Sequence, residues 1–162
     1  MIACVSSGRY FRKPVNPGSK IIENSVAIEQ ADFLSTTSSD VTKTGSWTTG
    51  DVGNERGYVH STQVGDTLEF TFTGNMLAFE HGLHDPAGKY EVYVDGNLAM
   101  TCNPQYNGIR SYFHFVCKAD TVNLDLPDGT HQVLVKTVPG DKTTDATYAV
   151  RIFNIITGNV KR

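Results

Sequence analysis

The sequence predicts an all-β fold, an antiparallel β-sandwich or barrel, on three observations. Short runs of alternating apolar and polar residues recur at fairly even spacing, about nine to eleven of them. Turn signals built from Gly, Asn, Asp and Pro separate the runs. No segment carries a sustained helical period with caps at its ends. Phe, Tyr, Val and Thr are plentiful, which favours strands, and the 15 glycines suit many tight turns.

Residues 65–96 show the pattern most clearly. Leu68, Phe70 and Phe72 point to one face of their run, and Thr67, Glu69, Thr71 and Thr73 to the other. Gly74-Asn75 breaks this strand and admits positive φ. The alternation resumes over 76–79, and residues 82–88, with Asp85-Pro86, read as a longer loop. Residues 90–94 form a third strand, closed by Asp95-Gly96, a strong hairpin signal.

In chain order, the first twenty residues stand apart. They carry Arg9, Arg12, Lys13 and Lys20 with no acid, and Pro14 and Pro17 interrupt regular structure. Residues 1–20 are therefore expected to be a flexible basic arm or linker, and 21–162 a single β domain. The sharper reading makes the arm a tether that docks on a neighbouring domain or subunit, giving a homo-oligomer. The apolar start at residues 1–5 is too short for a signal-peptide core, so the chain is expected to act outside the cell only within a larger chain or particle.

From Ile21 the pattern is regular, entering the sheet by Val26. A polar loop over 35–40 leads to Gly45-Ser46-Trp47, around the sole tryptophan. Residues 49–57, rich in Gly, Asp and Asn, read as a surface loop, and 58–62 as a short strand ending at the Gly65-Asp66 turn. After the central stretch, residues 97–102 should pair back through Asp95-Gly96, and 103–108 form an exposed loop. Residues 109–117 alternate, with Tyr112, His114 and Val116 on one face and Phe113, Phe115 and Cys117 on the other. Pro127-Asp128-Gly129 is a turn, 131–136 a strand, 139–144 a loop and 148–156 the closing strand.

The 162 residues suffice to bury a core without disulfide or metal help. A net charge of −3 gives no electrostatic case for nucleic acid, and no run reaches membrane-spanning length. Of the three cysteines, Cys102 and Cys117 pair if their strands are neighbours and are otherwise buried thiols; no CxxC spacing marks a zinc site.

The chemistry of the chain favours binding over catalysis. Gly65-Asp66-Thr67 superficially resembles the Gly-Asp-Ser of lipase-like esterases, but Thr replaces Ser and no Asp-x-x-His follows near the C-terminus. No GxSxG elbow is present. Glu69 and Glu91 lie on solvent-facing strand positions, and a sandwich this small usually lacks a glycosidase cleft. No catalytic residue is assigned. Residues 80–85 put His81 and His84 beside Glu80 and Asp85, a spacing that matches no established metal pattern and reads as a polar lip. No cofactor is expected apart from the option of a structural Ca²⁺ on loop carboxylates such as Asp51, Asp85 or Asp141. Sugars are held by aromatic rings against their C–H faces and by planar polar groups on vicinal hydroxyls. Trp47, Tyr58, His81, His84, Tyr106, Asn107, Arg110 and Tyr112 supply such groups and are the candidate ligand-binding residues. Tyr106, in a Pro/Asn/Gly loop, has the least structural reason to be aromatic, whereas Trp47 also suits the core.

Four segments carry a family resemblance: Gly45-Ser46-Trp47; the run from Gly65-Asp66-Thr67 to Thr73-Gly74; Val92-Tyr93-Val94-Asp95-Gly96; and Leu126-Pro127-Asp128-Gly129-Thr130-His131. In this order, over roughly residues 40–156, they resemble the galactose-binding-like jelly-roll modules, found as carbohydrate-binding modules and as the N-terminal domain of SGNH-type carbohydrate esterases. The resemblance implies a jelly-roll sandwich and, by analogy, a non-catalytic module that meets a glycan or bacterial surface polysaccharide on end loops or a concave sheet face. The expected setting is a larger secreted enzyme or a phage tail fibre or tailspike, extracellular or virion-associated. The alternatives are a structural domain of a virion or multimer with no sugar ligand, and an accessory domain of a carbohydrate esterase.

Overall fold

The computed structural model of the protein describes residues 27–51, 57–83, 87–104, 116–140 and 150–161. Eleven strands form two stacked antiparallel sheets: β1 (Ala27–Ser35), β2 (Thr42–Thr44), β3 (Thr48–Asp51), β4 (Gly57–Ser61), β5 (Thr67–Thr73), β6 (Met76–Leu83), β7 (Lys89–Val94), β8 (Asn97–Cys102), β9 (Val116–Asn123), β10 (Thr130–Val138) and β11 (Val150–Lys161). The six-stranded sheet has the order β3-β4-β11-β6-β9, with β1 also paired to β11, and the five-stranded sheet the order β2-β5-β10-β7-β8. The all-β sandwich is as the sequence predicts. No helix among the described residues is long and apolar enough to cross a membrane.

The alternation in the sequence becomes the core. Leu68, Phe70 and Phe72 of β5 are buried, while Glu69, Thr71 and Thr73 face solvent. Tyr90, Val92 and Val94 of β7 and Val133 and Val135 of β10 complete the inner face of the five-stranded sheet. Leu77 and Phe79 of β6, with Val150, Ile152 and Ile155 of β11, meet them from the six-stranded sheet. Phe79 packs edge-on against Phe70 and Tyr90, with centroids 6.1 and 6.3 Å away.

Consecutive strands mostly change sheet. The chain passes from β5 to β6 to β7 by crossing the sandwich twice, so Gly74-Asn75 is an arch between sheets. Gly74 has φ 149°, and a Cβ there would run into the carbonyl oxygen of Gly158. Asn75 fastens the arch: its amide group donates to Asp128 at 2.8 Å and to the Val160 carbonyl at 3.2 Å, and its Oδ1 accepts from the Val160 amide at 2.7 Å. Asp95 and Gly96 take φ of 50° and 79°, the left-handed pair of a tight hairpin, and β8 pairs back on β7 as expected.

Two boundaries differ from the sequence reading. The expected loop over 49–57 begins as strand β3, because Thr48 to Asp51 pair with β4. The closing strand runs to Lys161, not Ile156, because β1 pairs with it from Ala27↔Lys161 to Ser35↔Asn154. Residues 1–20, the expected strand over 109–115 and most of the 139–144 loop lie outside the described residues.

Candidate functional site

The outer face of the six-stranded sheet gathers aromatic and planar polar side chains. Val59 of β4 is buried in the core, so its neighbours Tyr58 and His60 point outward. On β6 the same alternation sends Leu77 and Phe79 inward and Glu80 and Gly82 outward. On β11 a register shift between Ile152 and Asn154 adds one residue, so Ile152 and Ile155 both reach the core. Phe153 and Asn154 are thereby turned to the outer face. Buried Thr36 supports the bulge, its hydroxyl placed 2.8 Å from the Ile152 carbonyl and 2.9 Å from that of Phe153.

The groups on this face touch one another. The Tyr58 ring lies 5.1 Å from Phe153 and 5.7 Å from His60. Gly50, paired with Tyr58 on β3, lets the Tyr58 ring lie across it, where a Cβ would run into the ring. At Gly82, by contrast, a Cβ would make only ordinary contact with Phe153 and Arg151. The Asn154 amide donates to Glu80 at 2.7 Å, and Thr48 Oγ1 sits 2.8 Å from His60 Nε2. Arg151 lies opposite His60 in the ladder. Burial, with the Arg151 charge as a smaller cause, lowers the His60 pKa and keeps its imidazole neutral near pH 7. Burial also lowers the Arg151 pKa. Tyr58, His60, Glu80, Arg151 and Asn154 are all half-buried, neither flush with solvent nor sealed in the core.

The structure divides the residues expected from sequence. Tyr58 is on this outer face. Trp47 is half-buried and packs against the sandwich core, with its indole N–H buried and unpartnered among the described residues. It lies between β2 and β3, which belong to different sheets, and so spans the core edge as its apolar surface dictates. His81 is a correction. The strand does not stop at a polar lip but continues to Leu83, so His81 takes an inward position opposite Ile152 and is fully buried. His84, Tyr106, Asn107, Arg110 and Tyr112 lie outside the described residues, as do Asp85 and Asp141 of the expected Ca²⁺ set, whereas Asp51 ends β3 and is exposed. Asp66, part of the esterase-like triplet, is buried and accepts hydrogen bonds from the Ser46 amide at 2.8 Å and the Ser61 hydroxyl at 2.5 Å. Its place is that of a turn anchor.

Nothing local in the sequence marks His60, Glu80, Arg151 and Asn154 as neighbours. Three strands bring them together, and the bulge that turns Asn154 outward leaves no local signature. The one available signal was the inward Val59 between two outward-facing rings.

A second polar cluster lies between the sheets. His81 Nδ1 is 2.9 Å from the Tyr90 hydroxyl, and Nε2 is 3.4 Å from Asp120 Oδ2. Cys102 is a free, buried thiol with Sγ 3.8 Å from His81 Nδ1 and 3.9 Å from Nε2. Cys102 is thus not paired with Cys117. Burial lowers the His81 pKa, against the pull of Asp120, and pushes the Cys102 thiol up to about 11. Burial raises Tyr90 well above the usual phenol value.

No family model matches the chain, and no curated protein matches it. Solved structures do. A two-domain esterase active on acetylated mannans, co-crystallised with mannopentaose, is similar with a TM-score of 0.63 at 16% identity; the match covers 83% of this chain and 38% of that one. The CBM36-1 domain of a multidomain xylanase from the hindgut metagenome of Trinervitermes trinervoides gives a TM-score of 0.54 at 16% identity, covering 82% of this chain and 98% of that one. A family two carbohydrate esterase from Cellvibrio japonicus gives a TM-score of 0.58 at 10% identity, covering 80% of this chain and 33% of that one. The chain therefore spans about two fifths of the mannan esterase and nearly all of the CBM36 domain. At these identities the likeness establishes the jelly-roll sandwich.

Proposed function

We propose that the chain is a non-catalytic carbohydrate-binding module whose glycan lies on the outer face of the six-stranded sheet, over Tyr58 and the polar groups around it. The observation that carries this reading is one half-buried sheet face where an aromatic ring lies beside a neutral imidazole, with a guanidinium paired opposite that imidazole and a hydrogen-bonded carboxylate and amide on the adjoining strands. A sugar presents an apolar C–H face and fixed hydroxyls, and this set offers a π-face with donors and acceptors in held orientations. The similar folds, found in carbohydrate-active proteins, favour the same class of ligand by analogy. The parent chain is a larger secreted carbohydrate-active enzyme, or alternatively a phage tail fibre or tailspike. A flanking catalytic domain supports the first, and a fibre shaft the second.

The test separates site from scaffold. Tyr58→Leu keeps an apolar cover on Phe153 but removes the aromatic face. It should weaken binding to a polysaccharide ligand by about 1–3 kcal/mol in calorimetric titration, with little change in melting temperature. Tyr106→Ala reports on the end loop in the same assay. Loss of binding in Tyr106→Ala with none in Tyr58→Leu moves the site to the loop.

A second reading, an assembly domain without a sugar ligand, draws on one observation. Phe33 and Ile28 on β1 are 61% and 43% exposed, beside the end of the chain that leads to the basic arm. A constitutive oligomer in light scattering that Phe33→Ser dissolves, together with no retained glycan, would establish it. Turnover of aryl acetates or polysaccharides would instead identify an enzyme.

A further inference from the structure

We propose that His81, Cys102 and Asp120 form a binding site for a zinc-class divalent cation that ties the two sheets of the sandwich together. The three donor atoms come from β6 and β9 of the six-stranded sheet and from the end of β8 in the five-stranded sheet. One ligand atom from each lies within 4.8 Å of the other two. At 3.4 Å, His81 Nε2 and Asp120 Oδ2 are too far apart for a good hydrogen bond. That separation suits two ligands of one tetrahedral ion, which at about 2.0–2.1 Å from the metal lie roughly 3.3 Å from each other. Cys102 Sγ lies 3.9 Å from the same nitrogen and 3.8 Å from Nδ1, so the thiol reaches the ion by turning about its Cα–Cβ bond toward the Nε2 side.

The surroundings already orient two of the three ligands, His81 and Asp120. Tyr90, on the five-stranded sheet, bonds to His81 Nδ1 and leaves Nε2 facing the acid. For metal binding the ring carries its proton on Nδ1 and donates it to the Tyr90 oxygen, the outer contact that orients a ligating imidazole. Lys118 holds Asp120 Oδ1 at 2.5 Å and so turns Oδ2 toward the histidine. Asp120 is 28% exposed while His81 is sealed, so the ion enters past Asp120 and its fourth position opens there to water. Binding displaces the thiol proton of Cys102 to solvent, and thiolate plus carboxylate then balance the two positive charges. The mixed N/S/O donor set favours Zn²⁺ or Co²⁺ over Ca²⁺ or Mg²⁺.

The experiment is cobalt and zinc titration of the reduced, tag-free protein. One equivalent of Co²⁺ should produce thiolate-to-cobalt charge-transfer absorption and the visible bands of a four-coordinate ion, and Zn²⁺ should displace it. Cys102→Ser should abolish the charge-transfer band. Asp120→Asn, at a partly exposed position, should fold normally by circular dichroism and weaken zinc affinity by at least about tenfold. Zinc should also raise the melting temperature of the parent protein, and less so that of Asp120→Asn. Absence of a charge-transfer band, or a band that survives in Cys102→Ser, overturns the site, the latter placing the ion on Cys4 or Cys117.

Discussion

His131 links the two turns that the sequence makes most conspicuous. It is buried, with Nδ1 donating to Asp95 Oδ2 at 2.6 Å and Nε2 donating to the Pro127 carbonyl at 2.8 Å. Both partners only accept, so the ring carries both protons. The Asp95 hydrogen bond raises the His131 pKa above 6.5, and the same bond holds the Asp95 carboxyl below 3.8. A group whose native pKa is raised stabilises fully below its unfolded value and loses that contribution as pH rises through the native value. Melting temperature should therefore fall as pH rises above about 6.5, the ordinary histidine range. His131→Gln should flatten this part of the profile, and an unchanged slope would show that other groups set it. The acid side runs oppositely: the Asp95 contribution is present above its ordinary carboxylate range and is lost as pH falls through its lowered native pKa. Asn75 is comparable in role. Asn75→Ala strands the buried Val160 amide and should cost about 1–3 kcal/mol in denaturant unfolding. Neither residue declares its partners in the sequence. Asp95-Gly96 and Pro127-Asp128-Gly129 are legible as turns, but a histidine in an alternating strand looks alike whether it faces water or ties two turns.

Strand β11 shows what alternation does and does not encode. β5 was readable residue by residue, because one face meets solvent and the other the core. β11 is central in its sheet, flanked by β6 on one side and by β4 and β1 on the other, and its bulge shifts the phase at Phe153. The sequence therefore revealed a strand without its faces or its end. The same holds for the arch at Gly74-Asn75, whose turn residues would equally suit a hairpin. At Gly158 β1 lies close against β11: a Cβ there would run into the Gln30 carbonyl oxygen. Gly158→Ala should force β1 away from β11 and cost about 1–3 kcal/mol. Hydrogen exchange should accelerate first along β1; uniform acceleration across both sheets would show that the collision is relieved elsewhere.

In the proposed reading the sandwich as a whole separates scaffold from recognition. Among the described residues its core cluster is apolar, its buried polar groups sit at turns, at the β11 bulge and around His81, and its outer six-stranded face carries the ring and the polar groups on which the proposed reading rests. The sequence supplied the class of fold, one residue of that face in Tyr58, and a set of loop candidates. Strand pairing supplied the rest, since His60, Glu80, Arg151 and Asn154 become neighbours only when β4, β11 and β6 lie side by side. The central claim, a glycan on this face, is tested most directly on a polysaccharide array probed in parallel with the parent protein, Tyr58→Leu and Glu69→Gln. Glu69 is exposed on the outer face of the other sheet and serves as the control. Retention of a discrete set of polysaccharides by the parent and by Glu69→Gln, and its loss in Tyr58→Leu, is the predicted result. No retention by the parent, or retention that Tyr58→Leu leaves intact, would contradict it.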